Sequence, residues 1–319
     1  MRKLALTLAA LALAVPAFAA EDTIRKGFNV SEGGTLRLTA GIGTVTIVSG
    51  GTGVAVEIVR SSKGRSAEQR MRDHKISVTQ SGNDVVIDGP MEREWMDWGF
   101  WNDYEVEWNI RVPARYNVAV QTSGGSVKLA NIGGTADVKT SGGSIRTGRI
   151  SGEANLKSSG GSISVDGGGA NVKADTSGGS ISIGDTTGSV DAHTSGGGIS
   201  LGRIGGDIVA RTSGGGIEID DAGGSVEAKT SGGSIEARLS GQPREDSQFI
   251  TSGGGVTLSI ANGIGAELDA RSSGGAVRAD VPVTVQGTMD DNEIRGRIGN
   301  GGPRITLRSS GGGIRVRSL

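Results

Sequence analysis

The residues able to do chemistry are few. The chain holds two histidines and no cysteine. That excludes disulfides, thiolate metal sites and a cysteine nucleophile. His74 stands among Arg70, Arg72 and Lys75, and His193 occupies a slot that other repeats fill with Lys139, Lys157, Arg211 or Lys229. Both are expected at the surface, without the partner ligands that a metal needs. Glycoside cleavage requires two carboxylates on one face. Asp220 and Asp221 are adjacent, so on a strand they are expected to face opposite ways. Asp290, Asp291 and Glu293 form an acidic run of the solvated-loop kind. No catalytic, cofactor-binding or metal residue is expected from these groups.

One denser constellation lies between Pro90 and Trp108. It contains all four tryptophans, with Phe100, Tyr104 and the carboxylates Glu92, Glu94, Asp97, Asp103, Glu105 and Glu107. Trp95, Trp98, Trp101 and Tyr104 are spaced three apart, which suits a helical or 3₁₀ turn. Exposed rings here would form a recognition site for a sugar or a protein. The other reading is a plug over the open end of a repeat core, which solenoids need.

The elements that must position these groups are repeats. Thr122-Ser-Gly-Gly-Ser-Val127 returns at Thr140, Ser158, Thr176, Thr194, Thr212 and Thr230, every 18 residues, with looser copies at Thr251, Ser272 and Ser309. A fixed period of this length means stacked units. Each unit splits into two nine-residue halves, as Gly196-Gly197 followed by Gly205-Gly206 shows. After each glycine pair the residues alternate: Ile199 and Leu201, then Ile208 and Ala210. Period-2 alternation sends one set inward and the other into water. Ile199 and Ile217 are expected inside, Ser200 and Glu218 outside. The glycines are expected to supply positive φ at tight corners. The serines at 123, 141, 159, 177, 195, 213 and 231 are expected to hydrogen-bond the corner backbone. The result is an all-β protein, a parallel β-solenoid (β-helix or β-roll-like) with 18-residue rungs of two turn-strand halves, each rung pairing with the same segment of the next.

Composition agrees. Glycine reaches 58 of 319 residues while Trp, Tyr and Phe number four, two and four. A thin interior of Ile, Val, Leu and Ala has no room for rings. The glycine is periodic, which argues against disorder, and it is not at every third position, which excludes collagen. Net charge is −1, so nothing favours nucleic acid or anionic lipid. Calcium-binding β-rolls carry an aspartate in the repeat turn. Here the turn reads S-G-G-S-I or S-G-G-G-I, without that ligand. It is no phosphate loop either, lacking G-K-[ST].

Residues 1–19 read as a secretory signal peptide: Arg2 and Lys3, the apolar run Leu4 to Val15, then Ala17-Phe18-Ala19 as the cleavage site. No second apolar run of spanning length follows, so the mature chain has no transmembrane segment. Residues 20–121 form a degenerate β region that carries the aromatic insert 90–108. A short helix is predicted from Ser66 to Arg72, and a hairpin from Ile76 to Asp88 around Gly82-Asn83. A strand starting at Tyr104 enters the solenoid. The repeats occupy 122–319, continuous with what precedes them. They end on Ile314-Arg-Val-Arg317, whose arginines are expected to guard an exposed terminal strand.

The G-x-V-x-V strands, the step Ile110-Arg-Val-Pro113 and the T-S-G-G-x-I copies resemble a bacterial adhesin-like β-strand-repeat family of unknown function, over Thr35 to Leu319. The resemblance implies an exported envelope protein, periplasmic or at the cell surface, and brings no catalytic residues. The expected partner is a cell-surface glycan or an envelope protein, with self-association open. The reading from a different class is a carbohydrate-active enzyme on a parallel β-helix.

Overall fold

A computed structural model describes residues 19–63, 67–91, 103–285 and 290–319. Residues 1–18 of the expected signal peptide and the rings Trp95, Trp98 and Trp101 lie outside these residues. Before the strict repeats come β1 (Ala19–Phe28), β2 (Thr35–Ala40), β3 (Thr44–Gly51), β4 (Val54–Lys63), the helix α1 (Ala67–Asp73), β5 (Ser77–Ser81), β6 (Asp84–Gly89), β7 (Tyr104–Pro113) and β8 (Asn117–Thr122). The helix and the β5–β6 hairpin fall where the sequence places them.

Each repeat then contributes one strand to each of two sheets. The first sheet takes β9 (Val127–Leu129), β11 (Ile145–Ile150), β13 (Ile163–Gly168), β15 (Ile181–Ile183), β17 (Ile199–Ile204), β19 (Ile217–Ala222) and β21 (Ile235–Leu239). The second takes β10 (Ala136–Thr140), β12 (Ala154–Ser158), β14 (Val172–Thr176), β16 (Val190–Thr194), β18 (Ile208–Arg211) and β20 (Val226–Thr230). Pairing between successive repeats is parallel and joins identical positions, as in Ile163 with Ile181 and Ile181 with Ile199. The parallel solenoid of 18-residue rungs is what forms.

The interior explains the composition. Isoleucines of the first sheet, such as Ile181 and Ile199, are buried, and Ala174, Ala192, Ala210 and Ala228 line the second sheet, also buried. Large residues on one sheet beside small ones on the other fill a flat core without rings. Among the described residues the largest fully buried side chains, Trp108, Tyr116 and Phe249, sit outside the strict repeats.

The T-S-G-G motif works differently from the expectation. The serines are exposed, and the hydroxyl one residue earlier is buried. Thr176 Oγ1 donates to Gly161 O at 2.7 Å, and Thr194 Oγ1 to Gly179 O at 2.7 Å. The threonine also accepts: Gly143 N–H donates to Thr140 Oγ1 at 3.2 Å. Alternation carried one step past Val138 puts Thr140 inside, so the ladder belongs to threonine. The repeat glycines have no positive φ, which occurs only outside the strict repeats, as at Gly43 (98°) and Gly263 (92°). A Cβ on Gly143 would stand 2.0 Å from Gly125 O, one rung away. Close stacking of backbones, not corner geometry, demands glycine there.

Both ends depart from chain order. At the N-terminal end β2 lies between β6 and β8, and β3 between β7 and β9. Antiparallel β4 and β1 extend the first sheet beyond β7. The C-terminal end adds β22 (Ser247–Thr251), β23 (Val256–Ile260), β24 (Ala266–Ser272), β25 (Val277–Ala279), β26 (Val283–Val285), β27 (Glu293–Ile298), β28 (Arg304–Ser309) and β29 (Ile314–Ser318). Here the last strands are inserted: β28 between β22 and β24, β29 between β23 and β25. The terminal strand is therefore not an exposed edge, contrary to the expectation. Arg315 faces out from an interior strand, and Arg317 reaches Glu236 at 3.1 Å.

Candidate functional site

Tyr104 opens β7, and its alternation with Val106 and Trp108 turns it inward. It is 6 % exposed, so this ring belongs to the interior. Its hydroxyl lies 2.7 Å from His74 Nδ1. His74 follows α1 directly and is itself 6 % exposed, not a surface residue as its charged neighbours suggested. Its Nε2 lies 3.1 Å from Gly89 O. A carbonyl only accepts, so Nε2 carries the proton and Nδ1 accepts from the phenol. Trp108 is edge-on to the imidazole at 6.2 Å and donates Nε1–H to Ile42 O at 2.9 Å. Arg60 on β4 donates to Met71 O at 2.8 Å and His74 O at 3.0 Å, and is ion-paired with Asp22 on β1.

Burial pushes His74 below its ordinary 6.5; the Gly89 carbonyl opposes this and the Arg60 charge assists it. Burial also pushes Tyr104 up to about 12. At neutral pH both groups are uncharged, and the pair works as a polar knot that ties α1 to β6 and β7. It has neither a charged nucleophile nor a free base.

The knot predicts an acid-sensitive stability. Unfolded His74 takes its proton near 6.5, while the folded form resists it to lower pH. Between the two, the unfolded state holds more protons, so stability is complete above that range and falls as the pH drops through it. The melting temperature of the wild type is expected to be level from about pH 8 to 7 and to decline toward about pH 5. Carboxylates such as Asp84 and Asp185, held below their ordinary 3.8 by hydrogen bonds from Arg37 and Arg203, add their loss only at lower pH. His74→Gln should flatten the decline. Identical slopes in the two proteins would remove His74 as its source.

The outward residues form two unlike surfaces. On the second sheet, acidic and basic side chains neutralise each other, both along one column and between neighbouring columns. Lys173 meets Asp191 at 2.9 Å, Lys229 meets Glu227 at 2.8 Å, and Arg211 meets Glu227 at 2.6 Å. His193 lies in this network beside Asp191 and is half-buried. Against the upward push of burial, Lys173 and His193 hold Asp191 below 3.8.

On the first sheet one column reads Lys128, Arg146, Ser164, Ser182, Ser200, Glu218, Glu236, each paired in register with the next. Among the described residues, Lys128, Arg146 and Glu218 make no ion pair. Asp220 and Asp221 sit at the corner of β19, Asp220 exposed and Asp221 half-buried. Among the described residues no group of three or more His, Asp or Glu could hold a metal, and no helix is long and apolar enough to cross a membrane.

The threonine ladder was legible in the alternation. His74 left no comparable signal, because the carbonyl of Gly89 and the phenol of Tyr104 reach it from distant segments.

Residues 36–317 match the profile of the Toastrack DUF4097 family. No curated protein matches the chain. Among solved structures, a candidate adhesin of Bacteroides fragilis is 12 % identical, with 93 % of this chain and 97 % of that one covered and a TM-score of 0.36. A candidate cell adhesion protein of Clostridium sporogenes is 13 % identical over 95 % and 100 %, at 0.26. A candidate lipid-binding protein of Parabacteroides distasonis is 12 % identical over 92 % and 96 %, at 0.30.

Proposed function

The chain belongs to the Toastrack DUF4097 family, and on that premise we propose that it is an exported, non-enzymatic, adhesin-like scaffold of the cell envelope. The observation that carries this reading is the pair of long outer faces. Each holds side chains in register at the strand spacing, a surface suited to an extended glycan or protein. The small-x-small site before Ala20 supports export to the periplasm or cell surface. The buried, neutral His74–Tyr104 pair supports a role without catalysis.

Trp95, Trp98 and Trp101 are the further recognition element of this reading, without Tyr104, whose ring is buried. The test is a glycan array and an envelope-protein binding assay with the mature chain, wild type and with the three tryptophans changed to alanine. Saturable binding that the triple variant loses at an unchanged melting temperature supports recognition by the insert. A lowered melting temperature with binding retained makes the insert a cap and leaves recognition to the faces. Release of reducing ends from a polysaccharide, or no binding to any glycan or envelope protein, overturns the proposal.

A further inference from the structure

The first sheet's outer column has a symmetry that the second sheet lacks. Ser182 is its midpoint. One step away on either side stand Ser164 and Ser200, two steps away Arg146 and Glu218, three steps away Lys128 and Glu236. Sizes are mirrored and charges are inverted. Four steps out both residues are threonine, Thr46 and Thr257.

We propose that this face binds a second copy of the chain, sheet against sheet, about a two-fold axis that runs along the strands through Ser182. Such an axis keeps strand direction and reverses the solenoid axis. It lays Arg146 on the partner's Glu218, Lys128 on the partner's Glu236, and Ser182 on itself. An interface of this kind is isologous and closed, so it stops at two copies.

Two observations single this face out. Its like charges are neighbours: Lys128 pairs in register with Arg146, and Glu218 with Glu236. Side chains so placed repel one another within one molecule; among the described residues Glu236 alone of the four has a partner in its own chain, Arg317 at 3.1 Å. A reversed copy turns each repulsion into attraction. The second sheet also sets like charges in register, Lys139 beside Lys157 and Arg211 beside Lys229, but there Lys139, Arg211 and Lys229 meet carboxylates on the same face of their own chain.

The flanks of the column permit contact. On one side lie Ser180, Gly198 and Gly216, and on the other Gly184 and Gly202. Short side chains at these central positions let the two sheets reach the usual separation of about 10 Å; the long Arg238, exposed beside Glu236 at the patch edge, falls opposite the partner's Ala130. Asp166 and Asp220, exposed in the second flank, fall opposite the partner's Gly202 and the partner's Gly148, not opposite a like charge. From Lys128 to Glu236 the patch spans six strand spacings, about 29 Å. That is smaller than the interface of a permanent dimer, so the association is reversible and sensitive to salt.

Sedimentation of the mature chain tests this independently of any glycan or envelope partner. At about 0.05 M salt the mass should rise from one chain to two with concentration, and about 1 M salt should suppress the rise. Lys128→Glu with Arg146→Glu should weaken self-association at least about a hundredfold, and so should Glu218→Lys with Glu236→Lys. Mixing the two variants should restore a dimer, as should all four changes in one chain. All six side chains at issue are on the surface, and circular dichroism checks each fold. A second probe uses the absence of cysteine: Ser182→Cys should be joined to its copy by a short bis-maleimide, and Asn155→Cys on the second sheet should not. A single-chain mass at every concentration, or charge-reversal variants that dimerise like the wild type, overturns the proposal.

Discussion

Gly143→Ala is expected to cost about 3 kcal/mol or more, at the upper end of what overpacking does, while Gly142→Ala leaves stability unchanged or slightly raised. The two glycines are adjacent and recur together in every repeat, yet they face different surroundings. A Cβ on Gly143 would meet Gly125 O at 2.0 Å, Gly125 C at 2.3 Å and Ser126 N at 2.5 Å. All three are backbone atoms of the preceding rung, held by parallel pairing on both sheets and by the threonine ladder. No side chain can swing aside, so the rungs themselves must part. Gly142 has its nearest neighbour at 3.8 Å and lacks a positive φ. Alanine fits there and removes freedom from the unfolded chain, worth about 0.4–1 kcal/mol. Paired chemical denaturation curves decide the matter. Equal losses at both positions would mean that corner conformation, not stacking, selects glycine.

How much of this was legible follows from what a repeat can encode. Alternation about Ile199 and Ile217 is a local signal, and it placed both residues inside with Ser200 and Glu218 outside. The 18-residue step is likewise local, and the register follows from it. The same signals cannot distinguish a glycine chosen for φ from one chosen for contact, because the contact is with a residue 18 positions away. Nor can they reveal the His74–Tyr104 knot, whose partners come from α1, β6 and β7. The charge inversion about Ser182 was present in the sequence. It acquires meaning only once the column's residues are known to share one face of one sheet.

Strand order at the ends was hidden for a related reason. Ser272 follows Thr251 by 21 residues, the step that also separates Thr251 from Thr230, so period alone stacks β24 directly on β22. In the fold β28 lies between them, with Leu307 paired to both Phe249 and Ala270. Arg308 secures the insertion by donating to Asp269 O at 2.8 Å, Ser309 Oγ by donating to Gly254 O at 2.8 Å.

Leu307→Asp is therefore expected to loosen two neighbouring rungs at once. Leu307 is 0 % exposed, and an unpaired carboxylate at such a site costs about 3–5 kcal/mol. In a solenoid the loss spreads to nearest neighbours first. Hydrogen exchange should speed up in Ser247–Thr251 and Val256–Ile260 on one side, and in Ala266–Ser272 and Val277–Ala279 on the other, while β9 to β17 stay protected. If the chain stacked in sequence order, β22 and β23 would lie a full rung away from the change. Acceleration confined to residues after Ala266, with β22 and β23 as slow as in the wild type, would restore that order and remove the insertion. A melt alone does not separate the two arrangements, since both bury Leu307. The position of the loss along the chain does.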